Sequence, residues 1–166
     1  PSRFYVISAL EEARVCQKYP DITIGISPID LPRYLDRPQI MTRINENEIQ
    51  LSELDLWAEP LKDNIPRVLG QNLTGLLCTD VDIFPWRGSE KISYRITVSV
   101  LRLDGSLTGG EAVLDARWII VDEQTKKVLV RRESRFAEPL RSQDYPSMVS
   151  AYSRLLASFS REIANA

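Results

Sequence analysis

Residues 31–43 read LPRYLDRPQIMTR, which combines two prolines, an aromatic ring, one acid and three arginines within a single short stretch. Neither a core helix nor a core strand needs that mixture of side chains. Each proline fixes its own φ and pushes the residue before it, Leu31 or Arg37, toward extended backbone. The stretch therefore predicts a rigid, shaped loop that leads into a strand from Ile40.

The segments on either side of this loop have the alternation of strands. Upstream, an apolar run predicts a strand over residues 3–10, and alternating isoleucines predict another over residues 22–29. Downstream, residues 40–44 and 48–51 flank the polar residues 45–47, which is a hairpin pattern.

The second half of the chain contains three longer strand candidates, at residues 92–103, 111–122 and 127–138. Asp104-Gly105 with Gly109-Gly110 predicts the first turn between them, and residues 122–127 predict the second. Because these connections are short, the three strands are expected to form an antiparallel meander.

Two amphipathic helices are predicted, at residues 57–78 and 145–164, from apolar side chains at three- and four-residue steps. Pro66 predicts a kink in the first helix, and the alternative is a fresh start capped by Asn64. Asp144 is the expected N-cap of the second helix. An alternating sheet with two such helices predicts an α/β domain, because each apolar face must be covered.

The bulk composition is that of one globular domain spanning residues 1–166, with 43% hydrophobic and 27% charged residues. The net charge of −2 gives no reason to expect nucleic acid as a partner. No apolar run approaches the roughly 20 residues that a bilayer-spanning helix needs.

The sequence argues against most catalytic sites. Histidine is absent, which excludes Ser-His and Cys-His nucleophiles and zinc sites built on imidazole. No Walker loop and no Gly-x-Gly-x-x-Gly motif is present, so any coupling to ATP has to come through a partner. The chain is therefore expected to be no enzyme and to use no cofactor and no metal. Asp80 with Asp82 and Glu46 with Glu48 leave a carboxylate hydrolase open, although exposed acids are the ordinary interpretation.

The two cysteines, Cys16 and Cys78, leave two interpretations open. They can pair in an oxidising compartment and close a loop of about 60 residues, which would restrict the unfolded chain by roughly 4 kcal/mol. The alternative is two buried free thiols.

Several side chains in and beyond the opening stretch are candidates for contact with a partner. The guanidinium of Arg37 can bind a carboxylate or phosphate with two parallel hydrogen bonds, or it can pair locally with Asp36. Tyr34 and Trp86 place large rings in a loop and a turn, where such rings often pack or bind. Trp57 and Trp118 lie on apolar faces and are expected in the core.

The stretch at residues 31–43 closely resembles the "LPxYLDRPQIVTR" signature of the ABC-type transport auxiliary lipoproteins, the PqiC-like or YmbA-like family. Other segments resemble the same family, and the resemblance extends from Phe4 to Ala164. These segments are Trp57–Leu61, Arg67–Leu69, Asn72–Leu73, Pro85–Trp86, Ala116–Trp118 and Leu155–Ile163. Pro66 departs from the family pattern, which usually has an ordinary helix former there.

The resemblance implies a three-layer sandwich, in which a mixed, mostly antiparallel sheet is covered by two main helices with an anticodon-binding-like topology. It also implies a non-enzymatic periplasmic lipoprotein, held by a lipidated cysteine ahead of Pro1 and usually tethered to the outer membrane. Its expected partners are an MCE-domain protein and an ABC permease/ATPase complex, with a homo-oligomer also possible.

The implied role is to help lipid or another hydrophobic solute move between membranes by docking to these partners. The candidate partner-binding residues are Tyr34, Leu35, Arg37, Pro38, Gln39 and Trp86. The alternative is a carrier that binds lipid or a small molecule directly, which requires an apolar pocket of about 300 Å³ or more.

Overall fold

The computed structural model describes residues 1–10, 22–86 and 91–166. Within these ranges it contains eight strands and two α-helices, together with a short 3₁₀ turn at Arg33–Leu35. The elements are β1 Arg3–Tyr5, β2 Thr23–Ile26, β3 Gln39–Asn45, β4 Glu48–Trp57, α1 Leu61–Leu77, β5 Asp80–Ile83, β6 Tyr94–Ser106, β7 Glu111–Asp122, β8 Lys127–Pro139 and α2 Tyr145–Ala164.

All eight strands belong to one mixed sheet in which β6 is the central strand. On one side of β6, β7 and then β8 continue the sheet in antiparallel order. On the other side, the first half of β6 pairs with β2, which leads to β5, and its far end pairs with β3, which leads to β4 and β1. The predicted α/β sandwich with a mixed sheet and two main helices is confirmed, and the longest strand pairs in the sheet are antiparallel.

The two helices pack against each other and against the sheet, with α1 over β5 and α2 over β7 and β8. Trp118 on β7 is 1% exposed and meets Phe159 of α2 edge to face, with ring centroids 6.1 Å apart. Trp57, at the end of β4, is also buried and packs against Tyr152. The prediction that Trp57 and Trp118 belong to the core is confirmed.

The predicted strand over residues 3–10 is wrong beyond Tyr5, because the chain leaves the sheet there and runs along α1. The N–H of Ile7 donates to Asn64 Oδ1 (2.8 Å), and Asn64 Nδ2 donates back to the Ile7 carbonyl (3.1 Å). Further along, the N–H of Leu10 donates to Asn72 Oδ1 (2.8 Å). Helix side chains therefore replace a neighbouring strand as the hydrogen-bonding partner of this segment.

Helix α1 is one continuous helix with Pro66 inside it, so a separate start at Asn64 is wrong. It begins at Leu61, after Pro60 in the cap position, rather than at the predicted residue 57. Pro66 costs one backbone hydrogen bond in the helix interior. Its ring is buried, as are the neighbouring Asn64 and Ile65, so packing of this face offsets part of that cost.

The meander and the last helix match their predictions, apart from one turn. Helix α2 spans the predicted residues, and Asp144 caps it by accepting a hydrogen bond from the Ser147 N–H (2.8 Å). The turn predicted at Asp104-Gly105 is wrong, because β6 continues through both residues to Ser106. Gly105 lies under α2, where an added Cβ would be 2.7 Å from the Met148 sulfur.

Candidate functional site

The signature loop, residues 31–38, lies between β2 and β3 in the chain and leads directly into β3. Its 3₁₀ turn is closed by a hydrogen bond from the Leu35 N–H to the Pro32 carbonyl (3.0 Å). The Leu35 side chain is buried in the core, whereas Arg37 and Pro38 are exposed. The predicted loop leading into a strand is confirmed, with β3 beginning at Gln39.

The candidate partner-binding residues lie in two separate places in the structure. Tyr34 is half-buried and its hydroxyl lies near Asp104, at the far end of β6. Trp86 lies over Gly25, which pairs with Arg95 near the start of β6. The nine steps along the strand from Arg95 to Asp104 span about 30 Å, so Trp86 and the signature loop belong to different surfaces.

Arg37 does not make the local pair that sequence alone left open. Asp36 and Arg37 are both exposed, and neither makes an ion pair with a described residue. The Arg37 guanidinium is therefore available at the surface.

A charged cluster, the Asp104 cluster, lies beside the signature loop. Asp104 is 1% exposed, and its Oδ2 accepts hydrogen bonds from Arg43 Nη2 (2.8 Å) and from the Tyr34 hydroxyl (3.3 Å). Its Oδ1 accepts from Arg102 Nε (3.0 Å). Two guanidinium groups and one phenol thus converge on a single buried carboxylate.

The surroundings of the cluster fix its charge state at neutral pH. Burial raises the pKa of Tyr34, and the nearby Asp104 charge raises it further. The hydrogen bond to Asp104 raises the pKa of Arg43. Beneath the cluster, burial holds the pKa of Tyr152 well above its ordinary value. Both phenols therefore stay neutral, and the two arginines carry one more positive charge than Asp104 balances.

The cluster opens onto a pocket of about 420 Å³, here called the Arg102 pocket. It is lined by Arg43, Ile44, Asn45, Glu46, Arg102 and Ser106. Sequence reasoning missed Asp104 and Arg102 as members of a site. The available signal was their spacing, because residues two apart in a strand share one face of the sheet.

Exposed apolar side chains concentrate near the same end of the molecule. Six of the ten large hydrophobic residues that are exposed within the described ranges lie on or directly beside β1, β3 and β4. They are Phe4, Val6, Ile44, Ile49, Leu51 and Leu54. Strand β1 pairs only with Asp55–Trp57, so residues 48–54 of β4 form an open edge in the described part of the sheet.

A second, apolar groove of about 310 Å³ lies between the end of α2 and the sheet. Its lining includes Leu77, Tyr94, Ile120, Leu129 and Ile163. This volume is close to the lower limit for pockets that hold small molecules.

The described residues show neither a metal site nor a membrane-spanning helix. They contain no group of three or more Cys, Asp or Glu side chains placed to hold a metal ion. Neither helix within those ranges has the length and apolar character required to cross a membrane. Cys16 lies outside the described residues, so its pairing with Cys78 stays a prediction.

Comparison with known proteins identifies the family and the fold. The family model described as "ABC-type transport auxiliary lipoprotein component" matches residues 5–164. No curated protein matches the chain.

Three solved structures illustrate the similarity in fold. The crystal structure of an uncharacterized protein aligns at 16% identity and a TM-score of 0.82, over 99% of this chain and 97% of that one. Protein XCC0632 from Xanthomonas campestris aligns at 18% identity and a TM-score of 0.75, over 98% and 92%. A PelC dodecamer from Paraburkholderia phytofirmans aligns at 12% identity and a TM-score of 0.53, over 89% and 88%.

Proposed function

The chain belongs to the ABC-type transport auxiliary lipoprotein family, and we propose that it is a non-enzymatic, lipid-anchored subunit of an MCE/ABC-type transport system. In this role it stands in the periplasm, tethered to the outer membrane. It docks to an MCE-domain protein and, through it, to the ABC permease/ATPase complex. It thereby helps lipid or another hydrophobic solute pass between the two membranes.

The observation that carries the docking role is the exposed surface beside the signature loop. Arg37 and Pro38 are exposed there, and the Pro38 carbonyl accepts from the Trp57 N–H (2.7 Å) at the end of β4, whose open edge carries the exposed side chains Ile49, Leu51 and Leu54. Arginine is enriched among the residues that contribute most to protein–protein interfaces, and an exposed apolar patch rimmed by polar residues is typical of an interaction site. Leu35 supports this surface from the core, while Tyr34 and Gln39 lie at its margin.

We also propose that copies of this protein associate with each other. PelC, which is similar in fold, is a dodecamer in its solved structure. Within the described sheet β8 is an open edge that carries Arg131, Arg132 and Arg135, and the open edge of β4 carries Glu48 and Glu53. A contact between unlike edges of successive copies generates a ring where the rotation closes. Opposite charges on these two edges support such an arrangement.

The test is capture of partners from crosslinked cells with the lipid-anchored protein. The wild-type protein should recover an MCE-domain protein. Arg37→Glu should reduce that recovery strongly, because it reverses a charge at the centre of the docking surface. Arg141→Glu is the matched control, since Arg141 is exposed in the loop before α2 and should leave recovery unchanged. Equal recovery with both variants would contradict the docking surface.

The groove beside α2 favours a second candidate, a carrier that binds lipid directly. Its lining is apolar and its volume of about 310 Å³ reaches the required size. Native mass spectrometry after incubation with membrane lipid extract should then detect bound lipid. Ala164→Trp, placed in the groove lining, should abolish that binding. The absence of lipid from the wild-type protein would remove this candidate.

A further inference from the structure

The Arg102 pocket presents hydrogen-bond donors that the protein itself does not use. Arg102 donates to Asp104 through Nε only, and its two terminal nitrogens have no hydrogen-bond partner among the described residues. Arg43 donates through Nη1 to the Glu46 carbonyl (2.9 Å) and through Nη2 to Asp104. Its Nε is buried and has no acceptor within the described part of the chain.

The pocket also carries an uncompensated charge. Asp104 balances one of the two guanidinium groups, and both of its oxygens are occupied. The Glu46 carboxylate lies on the rim, beyond ion-pair distance of either arginine in the described structure. One net positive charge beside a nearby acid favours a ligand with a single negative charge over a dianion.

Ser106, at the end of the same strand as Arg102, supplies a neutral donor to the pocket. The Ser106 hydroxyl oxygen accepts the Gly109 N–H at 2.9 Å, and its contact with the Thr108 hydroxyl is long, at 3.4 Å. The hydroxyl hydrogen can therefore turn toward a ligand in the pocket.

We infer that the Arg102 pocket binds a phosphodiester, held by the terminal nitrogens of Arg102 and by the Ser106 hydroxyl. Guanidinium groups bind phosphate oxygens with two parallel hydrogen bonds, and a phosphodiester carries one negative charge. The volume of about 420 Å³ exceeds the phosphate alone and leaves room for the attached groups. Ile44 on the rim is 49% exposed and offers those groups an apolar contact.

The phosphodiester has two sources with the same chemistry, a phospholipid headgroup or a free glycerophosphodiester. The pocket would hold either one whether or not the chain docks to a transporter. Failure of the partner capture above therefore leaves this site untouched, and failure of phosphodiester binding leaves the docking surface untouched.

The test is a titration of the protein followed by NMR at constant ionic strength. One arm uses glycerophosphoglycerol, and the other uses dihexanoyl phosphatidylglycerol below its micelle concentration. Both probes should shift resonances of residues 43–46 and 102–106 in a saturable way. If the two probes bind with equal affinity, the site recognises the phosphodiester group alone. If the lipid binds about tenfold more tightly than glycerophosphoglycerol, the site recognises a lipid headgroup with its attached chains.

Variants test whether Arg102 is required for phosphodiester binding. Arg102→Gln should weaken both probes by about tenfold or more, which is the usual worth of a charged hydrogen bond. Arg141→Gln removes the same charge elsewhere and should leave affinity unchanged. Glu46→Gln should tighten binding severalfold, because it removes the acid from the rim. Since Glu46 is exposed, this variant tests the site even if Arg102→Gln fails to fold.

Three results would overturn the inference. The first is the absence of saturable shifts at millimolar probe. The second is equal binding by Arg102→Gln and Arg141→Gln, or weaker binding by Glu46→Gln. The third is tighter binding of an acidic peptide than of either phosphodiester, which would make the pocket a protein-docking site instead.

Discussion

Two polar clusters in this molecule are both substantially buried, yet they are built in opposite ways. The first is the asparagine seam, formed by Asn64 and Asn72 between α1 and the extended segment Ile7–Leu10. Asn64 bonds both backbone groups of Ile7, and Asn72 accepts from Leu10 and donates to the Ser160 hydroxyl (3.1 Å). The seam is neutral, and the oxygen and the nitrogen of each side-chain amide have a hydrogen-bond partner within the protein.

The Asp104 cluster is charged, and several of its guanidinium nitrogens have no hydrogen-bond partner among the described residues. Burying polar groups without partners is costly, so a cluster that serves only the fold is expected to satisfy its groups internally, as the seam does. The Asp104 cluster instead places unused guanidinium nitrogens at a pocket. The difference indicates that the seam holds the fold together, whereas part of the Asp104 cluster is available for an external ligand.

The largest effect is expected in the seam. Asn64→Leu keeps a similar volume but leaves the Ile7 N–H and carbonyl without partners, which should lower the free energy of unfolding by about 3 kcal/mol. Urea unfolding measures this change. Gln71→Leu, on the exposed side of the same helix, is the control and should change stability by less than about 0.5 kcal/mol. A loss below about 1 kcal/mol for Asn64→Leu would contradict a structural role for the seam.

A smaller loss is expected at the centre of the Asp104 cluster. Asp104→Asn keeps the shape but leaves two arginines without their charge partner, so stability should fall by about 1–3 kcal/mol. The loss stays below that of Asn64→Leu because both arginines still contact water. Asp36→Asn, at an exposed position in the signature loop, is the matched control in urea unfolding. If Asp104→Asn is neutral, the cluster does not organise this end of the sheet.

Alkaline pH should lower the free energy of unfolding through Tyr152, which lies on the interior side of the Asp104 cluster. The buried Tyr152 keeps its proton in the folded state while the unfolded state loses it above its ordinary pKa of about 10. The unfolded state then binds fewer protons, so stability falls as pH rises, by about 0.8 kcal/mol from this group between pH 9 and 10.5. Tyr152→Phe should remove that part of the decline in urea unfolding. An unchanged decline would mean that Tyr152 is accessible to water.

The smallest effect separates binding from folding. Arg102→Gln should change the free energy of unfolding by no more than about 1 kcal/mol, because Arg102 is partly exposed and its ion pair is screened by solvent. The same substitution should weaken the phosphodiester. A loss of stability as large as that of Asp104→Asn would place Arg102 among the structural residues instead.

Local pattern predicted the parts of the fold whose partners are close in sequence. The meander β6–β8 and helix α2 were predicted because long alternation and helical periodicity leave few other structures. Asp104-Gly105 has the strongest short turn signal, yet it continues β6. There the pairing of Thr42 with Gly105 and the packing of Met148 override local preference. Residues 6–10 have a strand pattern, but their partners are amides some 60 positions away.

The candidate site was predictable only in part. The sequence analysis pointed to Tyr34, which belongs to the Asp104 cluster, and Arg43 of the same cluster is one of the three arginines in the signature stretch. Asp104 was missed because its partner Arg43 lies on another strand about 60 residues earlier in the chain, and Arg102 was missed with it although its spacing from Asp104 was available as a signal. Trp86 could not be separated from the signature loop by sequence, since only the sheet order places it at the other end of β6.

The asparagine seam also has a mechanical consequence. Any force that reaches the molecule through its N-terminus loads β1 first and then the amide bonds at Ile7 and Leu10. Through Asn64 and Asn72 that load passes directly into α1, and Ser160 transmits it to α2. A molecule held at its N-terminus would therefore pass load into its helical layer as well as into β4, which pairs with β1.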